Sequence, residues 1–245
     1  MKRARLDKVL VDRAIYPTRE RAQRAVMAGE VKIGQQIASK PSLLVDPGIS
    51  IATADPPRFV GRGGLKLEGA LDFFGIQVRE KVAVDIGAST GGFTDCLLQR
   101  GASKVYAIDV GHGQLAWKIR TNPRVTVFEK TNARNLSSSL INEPVDLCVI
   151  DVSFISLTLI LSNAFQLITP NGIVLALIKP QFELSRSDVG RGGIVREPAL
   201  HHKAQEKIVG FIERLGQHVV GITPSPITGA DGNQEFFVCA EKQSH

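Results

Sequence analysis

Lys66, Asp151, Lys179 and Glu235 stand far apart in the chain, yet each falls beside the predicted end of a strand or start of a helix. A lysine whose pKa is lowered by burial or by a second cation can take a proton from a hydroxyl, and carboxylates can hold such lysines in place. The group therefore suits activation of a poor nucleophile such as a ribose 2′-hydroxyl. A second constellation is Asp85-Ile86-Gly87-Ala88-Ser89-Thr90-Gly91-Gly92, with the apolar run Val82-Ala83-Val84 before it and Phe93, Cys96 and Leu97 at helical spacing after it. A strand that turns on glycines into a helix lets backbone approach a nucleotide-like ligand closely. The pattern acid-x-Gly-x-x-x-Gly-Gly is not the Gly-x-Gly-x-x-Gly of dinucleotide sites. It favours S-adenosylmethionine over NAD, because the methionine moiety has no pyrophosphate and needs close backbone contact and a nearby carboxylate. An ordinary glycine-rich turn in an α/β domain is the plainer alternative at this point.

The elements around these residues alternate as a doubly wound sheet requires. Residues 104–108 read as a second strand ending in Asp109, whose carboxylate can accept from two ribose hydroxyls. Residues 125–128 form a third strand, and Thr131-Asn132-Ala133 at its end can meet an adenine edge. A fourth, 145–151, ends in Asp151, and a fifth, 172–178, ends in Lys179-Pro180. Leu200, Ala204, Ile208, Phe211 and Leu215 make a helix stripe closed by Gly216, before two last strands at 219–223 and 236–240. Asp151 and Lys179 thus share the carboxyl ends of adjacent strands, where open α/β sheets bind ligands. Glu235 reaches the same edge if the last strand is antiparallel. Lys66 can close the group from a helix predicted to begin near Gly64 and to continue through Leu67, Ala70, Leu71 and Phe74. A lysine at a helix start is otherwise simply solvated.

The N-terminal part differs in charge. Residues 1–60 hold 11 Lys/Arg against 6 Asp/Glu, whereas residues 61–245 hold 19 against 18. A basic module joined to a nearly neutral one suggests a nucleic-acid footprint, with a merely soluble surface as the alternative. A helix over residues 5–14 presents Leu6, Val9, Leu10 and Ala14 on one face, and Thr18 is placed to cap a second helix carrying Arg21 and Arg24 and stopped by Gly29. Short β-like pieces follow at 31–33, 43–45 and 49–52. Asp55-Pro56-Pro57 marks a boundary, giving domains 1–58 and 65–245 with 59–64 as linker. Cys96, Cys148 and Cys239 show no metal-ligand spacing, and Trp117 and most phenylalanines are expected in the core, with Phe59 and Phe154 as possible base-stacking exceptions. No apolar run is long enough for a membrane helix, and the basic start lacks a secretory pattern, so a cytoplasmic location is expected.

Arg5-Leu6-Asp7-Lys8-Val9-Leu10, Thr18-Arg19-Glu20-Arg21-Ala22 and Gly29-Glu30-Val31-Lys32-Ile33 resemble the alpha-L RNA-binding fold shared by a small-subunit ribosomal protein, pseudouridine synthases and tyrosyl-tRNA synthetases. The second part resembles FtsJ-like (Rrm-type) methyltransferases with a Lys-Asp-Lys-Glu tetrad. The whole chain is similar to the TlyA family, called hemolysin A in older naming, through Arg62-Gly63-Gly64-Leu65-Lys66-Leu67, the Asp85–Gly92 block, Asp151-Val152-Ser153-Phe154, Ile178-Lys179-Pro180-Gln181-Phe182-Glu183 and Gly232-Asn233-Gln234-Glu235-Phe236. Gly61 stands where that family leads one to expect serine, and His112 where it suggests tyrosine.

The resemblance implies a Rossmann-like α/β methyltransferase with a mostly parallel seven-stranded sheet, plus a small α+β N-terminal RNA-binding domain. It implies 2′-O-methylation of bacterial ribosomal RNA, 16S, 23S or both, at cytidine. The methyl donor needs no metal, and a cytoplasmic monomer is expected. Lys66, Asp151, Lys179 and Glu235 become the tetrad, with Lys179 the preferred base or activator. Asp85, Gly87, Ser89, Gly91, Gly92, Phe93, Asp109, Asn132, Ala133 and Asp151 become the S-adenosylmethionine residues. Arg3, Arg5, Lys8, Arg19, Arg21, Arg24, Lys32, Arg62 and Arg191 are the candidate contacts to ribosomal RNA and ribosomal subunits. Three rivals remain at this level: a membrane-active hemolysin-like protein, an RNA-binding assembly factor without catalysis, and a nicotinamide oxidoreductase. The missing Gly-x-Gly-x-x-Gly weighs against the last, and the intact acid, glycines and lysines against the second.

Overall fold

The computed structural model describes residues 3–53, 57–137 and 140–244, without the side chain of Arg191. Asp55 and Pro56, part of the expected boundary, and the Arg191 side chain, an expected RNA contact, lie outside the described residues. The chain divides into two units after Arg58.

The first unit runs β1 (Ala4–Arg5), α1 (Leu6–Asp12), α2 (Arg19–Met27), β2 (Val31–Ile33), β3 (Gln36–Ile37), β4 (Leu44–Val45) and β5 (Ile51–Thr53). Thr18 caps α2, its hydroxyl accepting from the Arg21 amide. Leu6, Val9 and Leu10 pack with Ala22, Ala25, Val26 and Val31 to form the core. The first helix is shorter than its apolar spacing suggests. Ala14 lies beyond it with φ of 54°, and Arg5 is extended, paired with Leu44 on β4. β2 pairs antiparallel with both β3 and β5. β1 and β3 are additional to the expected pieces at 31–33, 43–45 and 49–52, and each is only two residues long.

The second unit runs α3 (Gly63–Phe73), β6 (Val82–Ile86), α4 (Gly92–Gln99), β7 (Lys104–Ile108), α5 (Trp117–Arg120), β8 (Val125–Phe128), β9 (Leu147–Ile150), α6 (Leu161–Leu167), β10 (Ile173–Ile178), α7 (Pro180–Glu183), α8 (Pro198–Arg214), β11 (His218–Pro224) and β12 (Phe236–Glu241). Its seven strands are ordered β11-β12-β10-β9-β6-β7-β8, parallel except for β12, which is antiparallel to both neighbours. Both faces of the sheet are covered, which is why β9 and β10 read as unbroken apolar runs.

Two expectations change here. Residues 59–64 are not a free linker: Phe59 is buried, the Val60 amide donates to Asp95, and α3 already begins at Gly63. A Cβ on Gly64 would stand 2.2 Å from the Phe59 ring, so the stretch is built into the second unit. Trp117 is not core. It is 77% exposed on α5, whose one buried residue is Ile119, because a single helical turn has only one inward position.

Candidate active site

Parallel strands bring the expected catalytic residues to one edge. Asp151 follows the last residue of β9 and Lys179 the last residue of β10, its neighbour. Because β12 is antiparallel and pairs Phe236 with Ile178, Glu235 just before it arrives at the same edge. Lys66 comes from the first turns of α3, whose start also lies there: a Cβ on Gly63 would be 3.8 Å from Asp151 Oδ2. The four residues form two ion pairs. Lys66 Nζ donates to Glu235 Oε2 at 2.6 Å, with side chains 10% and 3% exposed. Lys179 Nζ lies 2.6 Å from Asp151 Oδ1, an ion contact without hydrogen-bond alignment, and donates to the Ser153 hydroxyl at 2.9 Å. Two largely dry cations with carboxylates beside them can favour an alkoxide where it forms.

Beside these pairs lies a cleft of about 510 Å³, lined among others by Gly87, Ser89, Asp109, Asn132, Ala133 and Asp151. Asp109 is held from below, accepting from the Ser89 amide at 2.7 Å and the Gly111 amide at 2.6 Å. A carboxylate has about four acceptor positions, so about two remain for ligand hydroxyls. Asn132 spends its side-chain oxygen on the Arg134 amide, leaving its amide nitrogen as donor. The other expected cofactor residues divide by role. Gly87, with φ of 88°, is where β6 passes the Asp151 carbonyl, which a Cβ would approach to 2.3 Å. Gly91 and Gly92 pack against Leu115 and against the backbone at Gly61 and Gly64, and Phe93 is buried near Phe237. These three shape the loop from behind, although Gly92 and Phe93 also border a small cavity beside Asp151.

Asp85 is fully buried and lines neither cavity. Its Oδ2 accepts from the Thr94 hydroxyl at 2.6 Å, while Oδ1 has no hydrogen-bond partner among the described residues. Burial first, and then the charges of Asp151 and Asp109, push this carboxyl up to about 7. Of these carboxylates only Asp109 and Asp151 line the cleft, where they suit a cationic ligand.

Sequence reasoning missed two contributors. Ser153 touches Lys179, and the only hint was its place two residues after Asp151. Glu183 is buried and gathers the Ser156 hydroxyl at 2.5 Å, the Leu157 amide at 2.7 Å and Lys207 Nζ at 3.1 Å, tying the loop after β9 to α7 and α8. That loop pushes Phe154 outward, 90% exposed with φ of 64° and its ring 5.1 Å from Phe182.

In the first unit, Asp7 is buried and accepts from Arg5, Arg19 and Gln23, which hold its carboxyl far below the usual range. Arg5 and Arg19 are thus fixed by a carboxylate but remain 45% and 56% exposed. Arg24 pairs with Glu20, while Arg3, Lys8, Arg21 and Lys32 are exposed. Arg62, on the second unit, donates to the Thr228 carbonyl. A Cβ on Gly61 would stand 2.6 Å from Thr90 Oγ1, so a serine there would need Thr90 to turn.

Residues 59–242 match the FtsJ-like methyltransferase family, and residues 4–49 the S4 domain. The chain is 42% identical over 245 residues to the 16S/23S rRNA (cytidine-2′-O)-methyltransferase TlyA of Mycobacterium tuberculosis, covering 99% of this chain and 91% of that one. It is similar to a solved Streptococcus thermophilus structure bearing the hemolysin name, with a TM-score of 0.76, 43% identity, and coverage of 100% and 90%. An S-adenosylmethionine-dependent methyltransferase from Mesorhizobium loti shares the fold at 15% identity, with a TM-score of 0.57 over 74% of this chain and all of the other.

Proposed function

The chain belongs to the TlyA family of FtsJ-like methyltransferases, and from that premise we propose that it methylates a ribose 2′-hydroxyl of bacterial 16S or 23S ribosomal RNA, at cytidine. The observation that carries the reading is the pair of buried lysine–carboxylate contacts beside the cleft. S-adenosylmethionine, when bound, supplies an electrophilic methyl group on a sulfonium. Asp109 would hold the ribose hydroxyls, Asn132 and Ala133 the adenine edge, and the carboxylates at the strand ends the cationic part. Lys179, steadied by Asp151 and Ser153, stabilises the charge of the attacking oxygen as a cation, or takes the hydroxyl's proton from its neutral form. Lys66, fixed by Glu235, adds a second positive charge at the same edge. Positioning does the rest, since an in-line attack on methyl gains most from orientation.

Phe154 offers its face to the base of the target nucleotide, and the exposed cations of the first unit meet RNA phosphates. The protein acts as a cytoplasmic monomer without metal. The test is transfer of tritiated methyl to separated ribosomal subunits, with Lys179→Ala alongside, followed by alkaline digestion. Alkali-resistant label that vanishes in the variant supports the reading; label in a methylated base refutes the ribose chemistry. The hemolysin name of the Streptococcus relative points instead to membrane damage. No helix among the described residues is long and apolar enough to cross a membrane, and dye leakage from liposomes is the direct assay for that alternative.

A further inference from the structure

The segment 110–135 is more basic than the rest of the second unit. Residues 110–135 hold five Lys/Arg and one Glu, whereas residues 61–245 as a whole hold 19 basic and 18 acidic side chains. The single acid, Glu129, is spent inside the surface. Its side chain, 14% exposed, accepts from the Gly113 amide at 2.7 Å, contacts His112 Nδ1 at 2.7 Å and pairs with Arg120 of α5. With the Lys130 amide donating to the Gly111 carbonyl, these bonds knit the loop after β7, the α5 turn and the end of β8 into one surface. That surface displays Trp117 at 77% exposure and Lys118 at 69%, while Val110 borders the cleft. Lys118 has a loose contact with Asp95 at 3.6 Å, and Lys130 is exposed. The Ala116 amide donates to the Thr90 carbonyl, which anchors α5 to the glycine loop.

An exposed indole offers a flat face on which a base can stack, and exposed cations close to it in the chain can meet phosphates. We infer that this surface is a second RNA-contact face, on which an unpaired base stacks against the Trp117 indole while Lys118 and Lys130 meet phosphates. The inference rests on RNA being the substrate and adds a contact face on the catalytic unit. RNA fits better than a protein partner because every base has a stackable face and the surrounding charge excess is positive.

The test is filter binding of labelled, deproteinised 16S and 23S RNA to the full-length protein, alongside methyl-transfer kinetics. Trp117→Ala is expected to weaken RNA binding about tenfold, the scale of losing one stacked base. Trp117→Phe should restore most of it, with kcat at saturating RNA and cofactor affinity unchanged. Lys118→Gln with Lys130→Gln should lower the slope of log affinity against log salt by about two. Trp117 is the sole tryptophan, so RNA should also quench the wild-type emission directly. Equal RNA affinity of wild type and Trp117→Ala overturns the inference. So does a Trp117→Ala variant that binds RNA normally but loses self-association on sedimentation, which would make this face a contact between copies. Absence of methyl transfer by the wild type would instead strike the proposed function, and the binding comparison would still decide the role of Trp117.

Discussion

Lys66→Met separates the stability of the active-site edge from its chemistry. The ammonium lies 2.6 Å from Glu235 Oε2, and the two side chains are 10% and 3% exposed. Removing the cation leaves a carboxylate that neither water nor another charge can stabilise well. Breaking such a buried pair from one side costs about 3–5 kcal/mol. For a unit of this size that corresponds to a fall in Tm of roughly 10 °C. Replacing both partners by apolar groups removes the stranded charge together with the attraction, so Lys66→Met with Glu235→Leu should recover most of the loss. Urea unfolding followed by circular dichroism measures all three variants, and the cycle isolates the coupling. Methyl transfer should be lost in every one, including the restabilised double variant. If Lys66→Met costs less than about 1 kcal/mol and its effect adds simply to that of Glu235→Leu, the two groups are not a coupled buried pair and the reasoning fails.

Asp85 should make the protein less stable as pH rises. Its carboxyl is pushed up to about 7, so between the usual carboxylate range and pH 7 the folded state binds more protons than the unfolded state. Stability then falls by up to roughly 1.4 kcal/mol per pH unit across that window, and Asp85→Asn should flatten the difference in urea titrations at pH 5, 6 and 7. Asp7 has the opposite sign. Its lowered pKa stabilises the fold above the usual carboxylate range and that contribution is lost as pH falls. Asp7→Asn should therefore lower stability at neutral pH by about 1–3 kcal/mol and narrow the gap from wild type in acid, read by acid unfolding. Glu183→Gln should release the loop carrying Ser153 and Phe154. We expect a lower kcat and a raised KM for RNA, with weaker cofactor binding by calorimetry because Ser153 and Phe154 also line the cleft; unchanged kinetics and cofactor affinity would show that Glu183 does not hold this loop.

Much of this architecture is written locally. The strands from 82 to 178 are near-continuous apolar runs because helices cover both faces, and such runs stand out at any reading. Their ends could therefore be located, and with them Asp85, Asp109, Asp151 and Lys179. Thr18 and the α2 stripe likewise follow from capping and helical period. Residues 59–64 were harder, since glycines and prolines nearby look like a linker whether or not Phe59 is packed beneath them. Trp117 is not legible for a related reason: hydrophobicity says what a side chain prefers, while a four-residue helix fastened through Ile119 decides which ring is left outside.

The sequence by itself determined the order of elements, the glycine turn, the basic first module and the four residue types able to activate a hydroxyl. These depend on neighbours a few positions away, where periodicity and turn chemistry act. Only tertiary structure decided the pairing. The antiparallel last strand brings Glu235 to Lys66, and adjacent parallel strands bring Asp151 to Lys179. It also decided that Asp7 would absorb two arginines and that Glu129 would join the loop after β7 to α5. Such contacts join residues far apart in the chain, so they depend on strand register and burial rather than on any local pattern.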